Sequence, residues 1–253
     1  MTHPTGSPHD FAWMLHPGRA RRNNEDAVSV DAPTGVAVLA DGMGGYKAGE
    51  VAAAMATSLC REHLAEWRRA RSGAIAADEW RSAMQACVAY ANRAVFDAAN
   101  GNPDYQGMGA TLVMAALDAE GAWIGHIGDS RAYRLNHQGL SRLTRDHSLL
   151  QEQLDAGLIT PEQAARSNYR NFVTRAVGVE AGVDLELHRH PVEVGDILLL
   201  CSDGVTDMLD DAAIAALLQT RETLDEMAAH VVDAANAAGG KDNISVILIR
   251  IGG

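Results

Sequence analysis

Carboxylates recur at turns and at the ends of apolar runs along this chain. Glu25 and Asp26 precede the run at 27–30, Asp41 follows VAVLA, Asp129 follows AWIGHIG, Asp203 follows ILLLCS, and Asp242 stands just before ISVILIRI. Singly, each has a bland explanation, because Asp-Gly is a common turn and an acid ahead of a strand is usually solvated. As a set they ask for more. Two carboxylates about 4 Å apart repel by roughly 4 kcal/mol at an effective dielectric near ~20, so acids that converge must hold cations or take up protons. Oxygen donors of this kind suit the hard ions Mg2+ and Mn2+, and the chain carries no HExxH or CxxC that would point to zinc. A pair of such ions holds a hydroxide nucleophile at neutral pH and screens an anionic phosphoryl group. The chemistry indicated is metal-assisted phosphoester hydrolysis.

The elements that must position these acids are short strands and a few longer helices. Apolar runs at 11–15, 27–30 and 36–40 read as strands, the last stopped by the glycines of Asp41-Gly42-Met43-Gly44-Gly45. Val51, Met55, Leu59, His63 and Trp67 recur at every fourth position and predict a core-facing helix stripe. Trp80, Met84, Cys87, Val88, Ala91 and Val95 predict a second, with Asp78 as N-cap and an exposed loop at 68–77 between the two. Strands follow at 111–117, 122–127 and 131–135, joined by connections too short for parallel crossovers, so this part of the sheet is antiparallel. His126 sits in one of these apolar strands and reads as a core histidine. Residues 144–172 turn polar, with a short helix opened by Thr160-Pro161-Glu162-Gln163, and read as a surface lid. Alternating Val183, Leu185 and Leu187, then 196–201 and 244–251, supply further strands, and a helix capped by Thr223 and Glu226 ends at Gly239-Gly240. Strands in blocks and helices in pairs make this an α+β chain, and no linker or repeat divides residues 1–253 into more than one domain.

Charge and composition narrow the partners. Of 253 residues, 21 are Lys or Arg and 33 are Asp or Glu, and the resulting net charge of −12 excludes a basic face for nucleic acid. The apolar runs fall far short of the roughly 20 residues needed to span a bilayer, and residues 1–10 lack a basic-then-apolar leader pattern, so a cytoplasmic chain without a membrane segment is expected. Cys60, Cys87 and Cys201 are widely spaced in apolar contexts and read as reduced core thiols. A phosphate-binding loop is excluded because Gly42-x-Gly44-x-x-Lys47 lacks the third glycine and Asp242 follows Lys241 where Ser or Thr belongs. A serine hydrolase is excluded because Gly128-Asp129-Ser130-Arg131-Ala132 falls one glycine short of the nucleophile turn and is followed by a strand.

Six ordered segments then carry a specific resemblance: Arg21-Arg22-Asn23-Asn24-Glu25-Asp26, Asp41-Gly42-Met43-Gly44-Gly45, Gly107-Met108-Gly109-Ala110-Thr111-Leu112, Gly128-Asp129-Ser130-Arg131-Ala132-Tyr133, Ser202-Asp203-Gly204-Val205-Thr206-Asp207 and Gly240-Lys241-Asp242-Asn243. In order and spacing the chain resembles the PPM-type metal-dependent serine/threonine protein phosphatases, or type 2C phosphatases, and its DGMGG form resembles the bacterial branch. The resemblance covers roughly residues 11–250. It implies a four-layer αββα sandwich of two antiparallel β-sheets flanked by helix pairs, with the small lid at about 144–172 and metals at one end. By motif, Asp41 bridges two Mn2+ or Mg2+ ions, Glu25 and the Gly42 carbonyl serve one, and Asp203 and Asp242 serve the other. Asp26 orients metal-bound water, Arg21 receives the substrate phosphate, and Asp129, with Asp203, helps hold a third, weaker ion. The expected partners are phosphorylated protein substrates of a cognate serine/threonine kinase, met by a monomer. A rival of another class is a non-catalytic phosphatase-like domain that binds phosphoproteins; such domains usually lose metal ligands, and here every expected acid is present. Two departures stand out. Met43 occupies a position where eukaryotic members carry histidine, which removes one candidate general acid, and Ser167-Asn168-Tyr169-Arg170-Asn171 replaces the His-Pro-x-Arg-Asn common in bacterial lids.

Overall fold

A computed structural model describes residues 7–44, 48–164, 167, 172–220 and 222–253. In chain order the strands are β1 (Asp10–His16), β2 (Asp26–Asp31), β3 (Val36–Met43), β4 (Gly109–Ala110), β5 (Leu112–Asp118) and β6 (Gly121–Ile127). They continue with β7 (Arg131–Asn136), β8 (Gly139–Arg142), β9 (Glu186–His190), β10 (Ile197–Cys201) and β11 (Ile244–Arg250). One sheet runs β1-β11-β10-β7-β8 and the other β2-β3-β5-β6-β9, with β4 beside the end of β3. Every neighbouring pair is antiparallel.

Side-chain alternation explains why the strands read as unbroken apolar runs. In β3, Val36, Val38 and Ala40 join the core beneath the long helices, whereas Ala37 and Leu39 join the core between the sheets. In β11, Ile244, Val246 and Leu248 face the C-terminal helices while Ile247 and Ile249 face the inter-sheet core. Both faces of β3 and β11 are covered, so both parities of these two strands are mostly apolar. The layers are thus helix, sheet, sheet, helix, as the resemblance implied.

The long helices α1 (Ala48–Arg69) and α2 (Ala77–Gly101) cover one sheet. The predicted α2 stripe is buried throughout. Its start differs from expectation: the N-cap is Ala76, whose N–H donates to Glu79 Oε2 at 3.2 Å, and Asp78 lies inside the first turn. In α1 the fourth-position stripe is not the sheet-facing side. Ala52, Ala53, Ala56, Cys60 and Leu64 are among the buried residues, and Val51, Met55, Leu59 and Trp67 are only partly buried. Small side chains let the helix axis approach the sheet, and the larger ones pack at the flank, where His63 stacks on Tyr90 and Trp67 meets Trp80 edge-on.

On the outer face of the other sheet lie α6 (Asp211–Leu218) and α7 (Leu224–Ala237). The predicted Thr223–Glu226 capping box opens α7, and Gly240 N–H closes its end on Ala235 O at 3.1 Å. Between β8 and β9 are the short helices α3 (Leu149–Asp155) and α4 (Pro161–Ala164). Thr160 and Gln163 cap α4 reciprocally, as the sequence predicts. Residues 165, 166 and 168–171 of the expected lid, Asn168 among them, lie outside the described residues. Val183 and Leu185 precede β9 rather than belonging to it. All three cysteines are free and buried. Among the described residues no helix is long and apolar enough to cross a membrane.

Candidate metal centre

Antiparallel pairing brings the acids together. Asp26 opens β2 and stands directly opposite Asp41 on β3. The strand does not stop at Asp41; it runs on to Met43, and of the described glycines in this segment only Gly44 takes a positive φ, +151°. Gly42 answers to space rather than to conformation. Its N–H donates to Glu25 O at 3.2 Å, and a Cβ there would collide with the carbonyl oxygens of Gly49 and Glu25. Gly49, near the start of α1, is equally constrained, because a Cβ on it would meet Gly42 and Glu25 Oε2. Two bare backbones in contact therefore hold Glu25 beside the end of β3.

The second sheet delivers its acids at the same end. Asp203 follows β10 and starts the short helix α5 (Asp203–Thr206), and Asp242 lies just before β11. Ser202 links the sheets: its hydroxyl donates to Asp26 Oδ2 at 2.8 Å and accepts the Ser245 N–H at 3.0 Å. Buried Asn243 closes the loop ahead of Glu25, accepting the Glu25 N–H at 2.8 Å and donating to Asn23 O at 2.9 Å and Pro17 O at 3.1 Å. Arg21, with 54% of its side chain exposed, pairs with Asp242 at 2.7 Å.

Asp129 belongs to a turn fastened to the same frame. The Asp41 N–H donates to Thr111 Oγ1 at 3.0 Å, and that hydroxyl lies 2.7 Å from Ser130 Oγ. Ser130, read from sequence as a turn residue, thus ties the Asp129 turn to the strand that carries Asp41. Next to it Arg131 grips buried Asp146 with both arms of its guanidinium, at 2.9 and 2.6 Å.

Electrostatics identify the cluster as one unit. Burial, and then the charges of Asp26, Asp203, Asp129 and Asp242, push the Asp41 carboxyl well above its usual range. Asp203 is pushed up likewise by burial and by Asp129, Asp207 and Asp242. Burial raises Asp26 to about 6 against the opposing hydrogen bond from Ser202, and raises Asp129 to about 6 with help from Asp146. Glu25 also moves up, again chiefly through burial. Among the described residues, buried Asp26 Oδ1 and Asp203 Oδ1 accept no hydrogen bond. Buried carboxylate oxygens without donors, set among mutually repelling acids, are the arrangement a divalent cation relieves. The donor set fits Mn2+ or Mg2+.

A model of the protein phosphatase 2C family matches residues 19–248. The chain belongs to that family. It is 37% identical over 236 residues to the serine/threonine phosphatase stp of Listeria innocua, covering 92% of each chain. The crystal structure of the serine/threonine phosphatase Stp1 from Staphylococcus aureus superposes with a TM-score of 0.89 at 31% identity, covering 98% of this chain and 97% of that one. The catalytic domain of the serine threonine protein phosphatase PstP, solved in complex with two manganese ions, superposes with a TM-score of 0.81 at 33% identity, over 97% and 99% of the two chains. The protein phosphatase 2C fold therefore gathers Glu25, Asp26, Asp41, Gly42, Asp203 and Asp242 at one end, with Arg21 on the rim and Asp129 coupled through Asp203. Sequence reading left Asn243, Ser202 and Thr111 without roles. All three stood inside quoted motifs, but only the fold reveals which groups they hold.

Proposed function

We propose that this chain is a metal-dependent protein serine/threonine phosphatase that hydrolyses phosphoserine and phosphothreonine in proteins. The observation that carries the reading is the convergence of strand-end acids with orphaned buried oxygens at Asp26 and Asp203. Asp41 would serve both of two Mn2+ or Mg2+ ions, Glu25 and the Gly42 carbonyl would help hold one, Asp203 and Asp242 the other, and Asp129 with Asp203 a weaker third. When bound, such ions supply Lewis-acid polarisation of the phosphoryl group and a water acidic enough to attack at neutral pH. Asp26, anchored by Ser202 through one oxygen, keeps the other for orienting the attacking water. Arg21 holds the substrate phosphate with its planar fork, exchanging its present partner Asp242 for the phosphate oxygens. With Met43 where eukaryotic members carry histidine, that candidate proton donor for the leaving alkoxide is absent.

Every ligand comes from one chain, which favours a single catalytic domain over residues 1–253 acting as a monomer, with about 144–172 as a lid that bears on the protein substrate. The substrates are phosphoproteins of a cognate serine/threonine kinase. The presence of all the acids, with two of their oxygens unpartnered, favours catalysis over phosphoprotein binding alone. The test is phosphate release from a phosphothreonine peptide, with a phosphotyrosine peptide as comparison. Release that requires Mn2+, stops in chelator and returns when Mn2+ is restored is the expected result. Full activity in excess chelator overturns the metal reading.

A further inference from the structure

A second cluster of chemistry-bearing side chains lies just behind the Asp129 turn. The ligand-type atoms of His126, His147 and Glu186 all lie within 4.8 Å of one another. The rings of the two histidines stack at 4.6 Å with 12° between their planes, and both are buried. Such a trio resembles a metal site, but its hydrogen bonds assign the protons otherwise. Gly128 N–H donates to His147 Nδ1 at 3.1 Å. An amide can only donate, so Nδ1 is the unprotonated nitrogen and Nε2 carries the hydrogen of the neutral ring. That hydrogen points to Glu186 Oε2, 3.0 Å away. A cation on Nε2 would require Nδ1 to take up a proton, and the Gly128 N–H already occupies that direction. His126 is fixed in the same manner, its Nε2 lying 2.7 Å from the carbonyl of Arg145, which only accepts.

His147 also holds the backbone on both sides of it. Its N–H donates to Gly128 O at 2.9 Å, so side chain and main chain together clamp Gly128, the residue before Asp129, at a φ of +95°. Its carbonyl accepts the Thr174 N–H at 2.8 Å, where the chain returns from the lid segment. Glu186 comes from β9 and sits at 28% exposure, its second oxygen 3.2 Å from His188 Nε2.

We propose that Glu186 and His147 are a positioning pair: Glu186 fixes the tautomer of His147, and His147 in turn sets the Gly128 turn that presents Asp129. This rests on the reading above in which Asp129 holds the weaker ion. Neither residue touches substrate. The pair works as an orienting carboxylate works on any histidine, by deciding which nitrogen keeps its lone pair.

The full-length protein tests this with Glu186→Gln, Glu186→Ala, His147→Asn and His147→Leu. Long-range proton–nitrogen NMR correlations read the ring directly and need no metal. The expected result is Nε2–H in the wild type and in Glu186→Gln, whose amide oxygen accepts the same hydrogen, and a mixture of tautomers in Glu186→Ala. The Mn2+ concentration for half-maximal phosphopeptide turnover should rise about tenfold in Glu186→Ala and His147→Leu. It should stay near the wild-type value in Glu186→Gln and in His147→Asn, whose Oδ1 still accepts the Gly128 N–H. Nδ1–H in the wild type, a wild-type Mn2+ response in Glu186→Ala, or equal damage from Glu186→Gln and Glu186→Ala overturns the proposal. A wild type that releases no phosphate would defeat the phosphatase reading, while the tautomer would still report on the pair.

Discussion

The acidic cluster and the His126–His147–Glu186 cluster meet at the end of β6, where His126 lies inside the strand and Asp129 follows it, yet they are finished differently. In the histidine cluster, both nitrogens of His147 and both oxygens of Glu186 already have partners. In the acidic cluster, Asp26 Oδ1 and Asp203 Oδ1 have none, and each acid raises the pKa of the next. Residue type alone would mark either as a metal site. Leftover bonding capacity among mutually repelling carboxylates separates them, because most buried polar groups are satisfied within the chain.

The largest expected difference comes from isosteric substitution. Asp203→Asn preserves shape and removes one charge, and should cut phosphopeptide kcat/KM by more than about a thousandfold, or about 4 kcal/mol of transition-state stabilisation. Glu186→Gln makes the same change of atoms and should be nearly silent. If steady-state kinetics and circular dichroism found both folded and equally active, the distinction between the clusters would collapse.

A smaller effect belongs to the rim. Arg21→Ala should lower kcat/KM about 10–100-fold, the worth of one charge-assisted contact at roughly 1.5–3 kcal/mol. Arg19→Ala should be mild, because what Arg19 contributes is its backbone N–H to Gly240 O at 2.7 Å. Equal losses would indicate a diffuse basic patch in place of a phosphate clamp.

The smallest effect is thermal and has opposite signs in the two clusters. Asp26 and Asp129 are raised from 3.8 to about 6, so in the metal-free fold they bind protons more tightly than in the unfolded chain. Their contribution to stability is present at low pH and is lost as pH rises through about 4 to 6, and further as Asp41 and Asp203 ionise. His126 is lowered from 6.5 by burial, so its contribution is lost as pH falls below that value. The gap between Mn2+-loaded and chelated melting temperatures isolates the acids and should widen by several degrees from pH 4.5 to pH 7. A constant gap would mean that the acids are not strained without their cation.

Much of this was legible in the sequence because antiparallel strands of known ends force their neighbours together. Asp41 after one apolar run and Asp26 before another become direct partners once β2 and β3 pair. The α2 stripe was equally plain, since large side chains at helical spacing announce a buried face. The α1 face was misread because alanine carries little signal: Ala52, Ala53 and Ala56 touch the sheet, while the conspicuous His63 and Trp67 lean on α2. Asp78 was misread as a cap because Asp is common there, whereas Glu79 reaching back to Ala76 fills the role. His126 was rightly read as a core histidine, but its stacking on His147 was beyond reach. A hydrogen bond between side chains far apart in sequence leaves no periodic trace, and Asn243, which bonds residues more than two hundred positions earlier, is the clearest case.

That asparagine has a consequence for how the protein comes into being. Among the described residues β1 has β11 as its one strand neighbour, and the loop at 17–25 is latched by Asn243 and paired with Asp242. On a ribosome β1 emerges more than two hundred residues before β11 and waits for it unpaired. A chain stopped before Asp242 lacks the latch on the 17–25 loop and one of the proposed ligands, so on the reading above it releases no phosphate. The proposed site is assembled only once β11 has been made and paired.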